Sequence, residues 1–407
     1  MIQRVNMKTL LLTLLVLCPA FALASNPNGK NANASQDAYE PTPSEMIEDF
    51  SQPWGAPLTE LQPLMKRGKS YVFWLMVPPE SPMDLRTPEN FRRFIVGNTP
   101  FGGGISHNYV AWSCEGPGGR KLEGATAMSG ESSGQSKKMI LDGFGLTTFF
   151  STFTDGYIDH TISVQDGLLD IGRKHGLATL GFEVSPNECG QMVSFLKKFA
   201  RHPNKPYSRF GLTPDPEKME GGGCVTFAMV LLKKAGIFPN VIPLLYRNLS
   251  APRELLGGNM PLPTATEVPG LPWLGGRSHQ ISMNRMLSTA WIPQDYSVNL
   301  RVMDPELMLY AQKAIKDVYV GQFPARESAA EFRYFERTTL GPRATRSATG
   351  DGNSAGSARY IPIDNSFDPQ MAKVQKATSD WALKQMRDGK TIQRGSILGH
   401  PVLLLQN

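Results

Sequence analysis

The chain of 407 residues is poor in the side chains that build metal and redox centres, with four cysteines and six histidines. No Cys-x-x-Cys pair, no His-Glu-x-x-His and no glycine-rich phosphate loop occurs in it, so no metal, nucleotide or other cofactor is expected. Charge is scarce as well, at 19% of residues. The net +6 falls to +4 once Arg4 and Lys8 of the N-terminal segment are set aside, too small and too dispersed an excess to argue for nucleic acid as a partner. Beyond Phe21 no run approaches the ~20 apolar residues that span a bilayer. No internal repeat of fixed period is present.

Loop-forming residues are in excess: 39 Gly and 32 Pro together make about 17% of the chain, against a background near ~12%. Loops therefore occupy much of the sequence, and length points to two or three units rather than one continuous core. Residues 1–24 have the form of a secretory signal, with a basic start from Met1 to Lys8, an apolar stretch from Thr9 to Phe21, and Ala22-Leu23-Ala24 before Ser25 as the first mature residue. A lipoprotein signal would lipidate Cys18, but Leu17 stands where a small residue is needed. An exported protein, periplasmic or extracellular, is expected. Export leaves three cysteines, Cys114, Cys189 and Cys224, and an odd number in an oxidising compartment leaves at least one thiol free.

Residues 25–65 read as an extended leader, rich in Asn, Ser, Pro and acidic residues. A buried strand is expected at Tyr71–Val77, a second at Ile105–Trp112 behind Gly102–Gly104, and an antiparallel return at Lys121–Met128 after a turn from Cys114 to Arg120. Further strands are expected at Thr147–Phe153, His160–Val164 and Leu180–Val184. Ser185-Pro186-Asn187-Glu188 is a capping box, with Pro in the first helical turn, opening a helix to Ala200. A second helix covers about Val225–Ala235, with Lys233 and Lys234 in its last turn and Gly236 as its stop. Past residue 250 come a loop-rich extension with one helix (251–337), a flexible linker (338–358) and a C-terminal helical segment (359–407). The two helices begin at Asp304-Pro305 and Asp368-Pro369. Their apolar stripes are too small for an independent core and are expected to dock on the rest.

Chemistry centres on Gly221-Gly222-Gly223-Cys224, which sets a cysteine where a glycine loop becomes a helix. The unpaired N–H groups of a helix start stabilise a thiolate and can bind an oxyanion. An isolated cysteine in such a place is more often a small buried hydrophobe. A thiolate nucleophile needs a base and the base an orienting group. His107 is the one histidine on a convincing strand, and Glu123 lies on the returning strand of the same hairpin; singly, each is more often a packed histidine or a solvated charge. Cys189 falls in register with Met192, Val193 and Leu196 and reads as core, and a Cys114–Cys189 pair would leave Cys224 free. Gly130-Glu131-Ser132-Ser133-Gly134 has the spacing of a nucleophile elbow without the strand and helix that one needs.

Together, Ser106-His107-Asn108-Tyr109-Val110, Leu122-Glu123-Gly124, Tyr207, Cys224-Val225-Thr226-Phe227-Ala228 and Leu231 to Ile237 resemble the circularly permuted papain-like hydrolases. These are the YiiX-like and lecithin:retinol acyltransferase-like relatives of the NlpC cell-wall peptidases. The resemblance covers about residues 70–240, with Gly223 where members usually carry Asn. It implies an α+β fold over 66–250, an antiparallel sheet packed on the helix bearing the cysteine, with Cys224 as nucleophile, His107 as general base and Glu123 as third polar residue. It further implies amide or ester chemistry in the bacterial cell envelope, on a cell-wall peptide or a lipid acyl group. Such folds also serve as non-catalytic binding or scaffold proteins.

Overall fold

The computed structural model describes residues 50–77, 106–116, 119, 121–130, 134–172, 176–268, 279–288, 297–320 and 369–407. The secretory signal, Gly102–Gly104 and the 338–358 linker lie outside the described residues. The molecule is α+β, built on a seven-stranded sheet: β1 (Ser70–Val77), β2 (His107–Glu115), β3 (Lys121–Ser129), β4 (Tyr157–Asp159), β5 (Ala178–Val184), β6 (Thr391–Ile397) and β7 (His400–Gln406). Their order across the sheet is β6-β7-β5-β1-β2-β3-β4. The β7–β5 pair is parallel and the other neighbours are antiparallel.

Strand β1 reads Ser-Tyr-Val-Phe-Trp-Leu-Met-Val and is buried throughout because both faces of the sheet are covered. Val72, Trp74 and Met76 point to one side, together with Val110 and Trp112 of β2. Over them lie α2 (Pro186–Ala200), α3 (Cys224–Lys234), α4 (Pro305–Val320) and α5 (Pro369–Arg387), all in one apolar cluster. Tyr71, Phe73 and Leu75 point to the other side with Tyr109, Ala111, Ala125 and Ala127, against Leu58–Leu64 and α1 (Thr161–Gly167). The capping box of α2 forms as the sequence predicts: the Glu188 N–H donates to Ser185 Oγ at 3.2 Å and the Ser185 N–H to Glu188 Oε2 at 2.8 Å. Cys114 of β2 and Cys189 of α2 form a disulfide, with Cα atoms 5.7 Å apart, that ties this helix to the sheet.

Several expectations are corrected. The last part of the 25–65 leader is core, with Phe50, Trp54, Leu58, Leu61 and Leu64 buried. The segment at His160–Val164 is helical, because Thr161, Val164 and Leu168 bury one helical face despite their β-branched neighbours. Thr147–Phe153 is a 3-10 turn, Leu146–Phe150, followed by the two-residue strand Thr152–Phe153. Cys114 stands on β2 rather than in the turn after it. The 251–337 extension holds a second short helix, Met283–Ser288, and a strand, Ser297–Met303, paired with Tyr246–Pro252. The 359–407 segment is not helical alone: β6 and β7 follow α5 and enter the central sheet. Val402 to Leu405 form a short apolar run, which periodicity alone assigns to neither helix nor strand. Among the described residues no helix is long and apolar enough to cross a membrane.

Candidate active site at the start of β2

Cys224 is the first residue of α3, behind Gly223 as N-cap. Thr226 Oγ1 accepts the Gly223 N–H at 2.9 Å, which holds the loop against the first turn. The glycines are needed for close packing. The Gly222 N–H donates to Arg209 O at 2.9 Å and the Gly211 N–H to Gly222 O at 3.1 Å. Gly221 has φ +122°, and a Cβ there would lie 2.1 Å from Arg209 O.

The thiol is lodged against the beginning of β2. It donates to Ser106 O at 3.4 Å and receives the backbone N–H of Asn108. The carbonyl before a strand residue and the amide after it point to the same edge, so the sulfur lies alongside the backbone of His107. Cys224 is only 8% exposed. Burial pushes its pKa up to about 11, and the N–H groups of Asn108, Val225 and Cys224 itself pull the other way without prevailing. The helix start therefore acts on the thiol as expected, but desolvation reverses the net direction.

His107 sits on the opposite side of β2 from the α3 face. Its ring packs edge-on against Tyr109, 4.5 Å between centroids and 72° between planes. Tyr109 belongs to the cluster beneath α1. Among the described residues no hydrogen bond joins His107 to Cys224. Burial lowers the His107 pKa to about 4, so the ring is neutral at pH 7.

Glu123 is not brought to His107. The β2–β3 ladder pairs Ser113 with Glu123, six residues along β2 from His107, or roughly 20 Å at ~3.4 Å per residue. There Glu123 accepts the Trp54 N–H and the Ser113 hydroxyl, each at 3.4 Å. The hairpin itself contains the signal: a turn centred between Glu115 and Lys121 sets Ser113 opposite position 123 and Val110 opposite position 126. Carried on, the register places Ser129 abreast of His107.

Two further residues stand at the His107 end: Asp159, which no sequence pattern marks, and Asn108, already part of the segment that carries the resemblance. Asp159, opposite Ala127 on β4, is buried and takes the Ser129 hydroxyl on Oδ2. Burial raises its pKa to about 6, with the Ser129 bond opposing. Its charge is felt at both Tyr109 and Cys224. Burial, then Asp159 and then the Cys224 thiolate raise Tyr109 well above the ordinary phenol range. Asn108, fully buried, directs its side chain to the α3 face, where Trp74 Nε1 donates to its Oδ1 at 2.8 Å.

Comparison with protein-family models, with curated proteins and with solved structures finds no match. Among the described residues no group of three His, Cys, Asp or Glu side chains is placed to hold a metal ion. The arrangement at the start of β2 therefore consists of a thiol on a helix start, a neutral imidazole one strand edge away, a buried carboxyl, and amide donors around the sulfur. Thiol acylation is the chemistry these groups can perform without a cofactor.

Proposed function

We propose that the protein is an exported cysteine hydrolase or acyltransferase of the permuted papain-like class, cleaving or transferring an acyl group at an amide or ester in the bacterial cell envelope. A peptidoglycan peptide or a lipid acyl group is the substrate. The supporting observation is the position of the Cys224 sulfur, a free thiol on a helix start that touches the backbone on both sides of His107. In this reading the start of β2 rearranges so that the His107 ring leaves Tyr109, rounds the strand edge to the thiol and takes its proton. The sulfur electron pair forms the S–C bond at the substrate carbonyl, the C=O π pair moves to oxygen, and collapse of the oxyanion breaks the C–N or C–O bond. His107 returns the proton to the leaving amine or alkoxide, and water or an acceptor nucleophile then cleaves the thioester. Glu123 takes no part.

A second reading, a non-catalytic envelope binding or scaffold protein of the same fold, is favoured by the burial of the thiol and by the packing of the His107 ring on Tyr109, away from the thiol. Hydrolysis of p-nitrophenyl acetate separates the two. The enzyme reading expects p-nitrophenolate release above that of the Cys224→Ala variant; equal rates support the binding protein.

A further inference from the structure

Among the described residues at this site, Asn108 presents a polar group whose orientation is fixed and whose hydrogen bond is unmade. The indole N–H of Trp74 is a donor only, so the bond at 2.8 Å identifies the Asn108 atom facing it as the carbonyl oxygen. The amide nitrogen must then face away from Trp74. Asn108 Nδ2 is buried and has no hydrogen-bond partner, although its two N–H bonds would ordinarily both be used. Leaving such a donor dry is unfavourable in the resting protein. The backbone N–H of the same residue already contacts the Cys224 sulfur, and its side chain shares the strand face of Trp74 and Val110, in the apolar cluster that contains Cys224 and Val225. A preset, unsatisfied carboxamide donor, on the residue whose own backbone N–H stabilises the Cys224 thiolate at a helix start, has the makings of an anion site whose occupant forms only during reaction.

We infer that Asn108 is a catalytic residue: its Nδ2 donates to the oxyanion created when Cys224 attacks an acyl carbonyl, with the N–H groups at the start of α3 as further donors. Trp74 is a positioning residue that keeps the amide from turning over. The inference rests on the reading of Cys224 as the acylated nucleophile. As the S–C bond forms, the carbonyl π pair becomes an oxygen lone pair held by Asn108; when it re-forms the C=O bond, the leaving oxygen or nitrogen departs with its bonding pair.

Two reactions of the same thiol test it. Acylation by p-nitrophenyl acetate passes through an oxyanion, whereas alkylation by iodoacetamide displaces iodide at a saturated carbon and makes none. In the full-length protein, Asn108→Ala should lower the acylation rate about 100-fold and leave alkylation within about threefold. Trp74→Phe, which keeps the ring but removes the indole N–H, should lower acylation about tenfold with the same sparing of alkylation. A structural role for Asn108 would slow both reactions together and lower the melting temperature in step. Parallel losses, or unchanged acylation, overturn the inference. Should Asn108→Ala not fold, Trp74→Phe decides by the same criterion. Failure of the unsubstituted protein to acylate, while it still alkylates at Cys224, overturns the underlying enzyme reading and this inference with it.

Discussion

At the Glu115 end of β2 the strand is tied down. Cys114 is oxidised to Cys189 of α2, and Glu123 takes hydrogen bonds from Ser113 and Trp54. At the His107 end the sulfur is reduced, and His107 and Cys224 are both buried in neutral form, the first lowered and the second raised. Reduced and oxidised sulfur thus lie against opposite ends of one strand, Cys224 from the start of α3 beside His107 and Cys114 on β2 itself, seven strand residues apart or roughly 24 Å at ~3.4 Å per residue. Desolvation acts at the Cys224 end to hold the thiol protonated. At the other end the cross-link gains from it, being sealed in the apolar cluster. Which end of the strand they meet decides what the cysteines and acids around β2 do, more than which residues they are.

The sharpest way to break this comparison is to exchange the roles of the sulfurs. Cys224→Ala should abolish acyl transfer, a loss of at least about 1000-fold, with the melting curve nearly unmoved. Joint Cys114→Ala and Cys189→Ala substitution should leave Cys224 chemistry intact and cost about 4 kcal/mol in denaturant unfolding, from the loop of 75 residues that the bond closes. Next in size, His107→Gln should lower acylation about 100-fold, as expected for loss of a general base.

The same substitution bears on pH. The folded His107 pKa lies below its unfolded value, so folding excludes a proton that the unfolded chain binds. His107 therefore costs no stability above pH 6.5 and costs progressively more as pH falls toward about 4. Urea unfolding of His107→Gln between these limits should show a shallower acid loss than the unsubstituted protein. The smallest effect is expected at Glu123→Gln, which should change acylation less than about twofold, since its hydrogen bonds lie at the Glu115 end. A large loss there would mean that the two ends of β2 are coupled.

Much of this arrangement can be read in the sequence where the signal is local. Ser185 and Glu188 set the start of α2, Gly223 and Gly236 bound α3, and the apolar run from Tyr71 to Val77 marks a strand covered on both faces. Residues that meet through register are harder. Glu123 has the right alternation for a partner of His107 but the wrong position along the hairpin, a difference that depends on where the turn falls. Asp159 reaches the site through the pairing of β4 with β3, and β7 enters the sheet beside β5 across more than 200 residues of chain. No local pattern encodes either pairing. The direction of the Cys224 pKa was also hidden: a helix start is visible in sequence, whereas the burial that outweighs it is a property of the assembled core.

The central claim is that Cys224 carries the acyl group, and trapping tests it most directly. Protein treated with p-nitrophenyl acetate, quenched in acid and mapped by peptide mass should carry one acetyl group on Cys224 as a hydroxylamine-labile thioester, absent from His107→Gln at the same time point. An acetyl group found only on lysines, with Cys224 unmodified yet open to iodoacetamide, would contradict it.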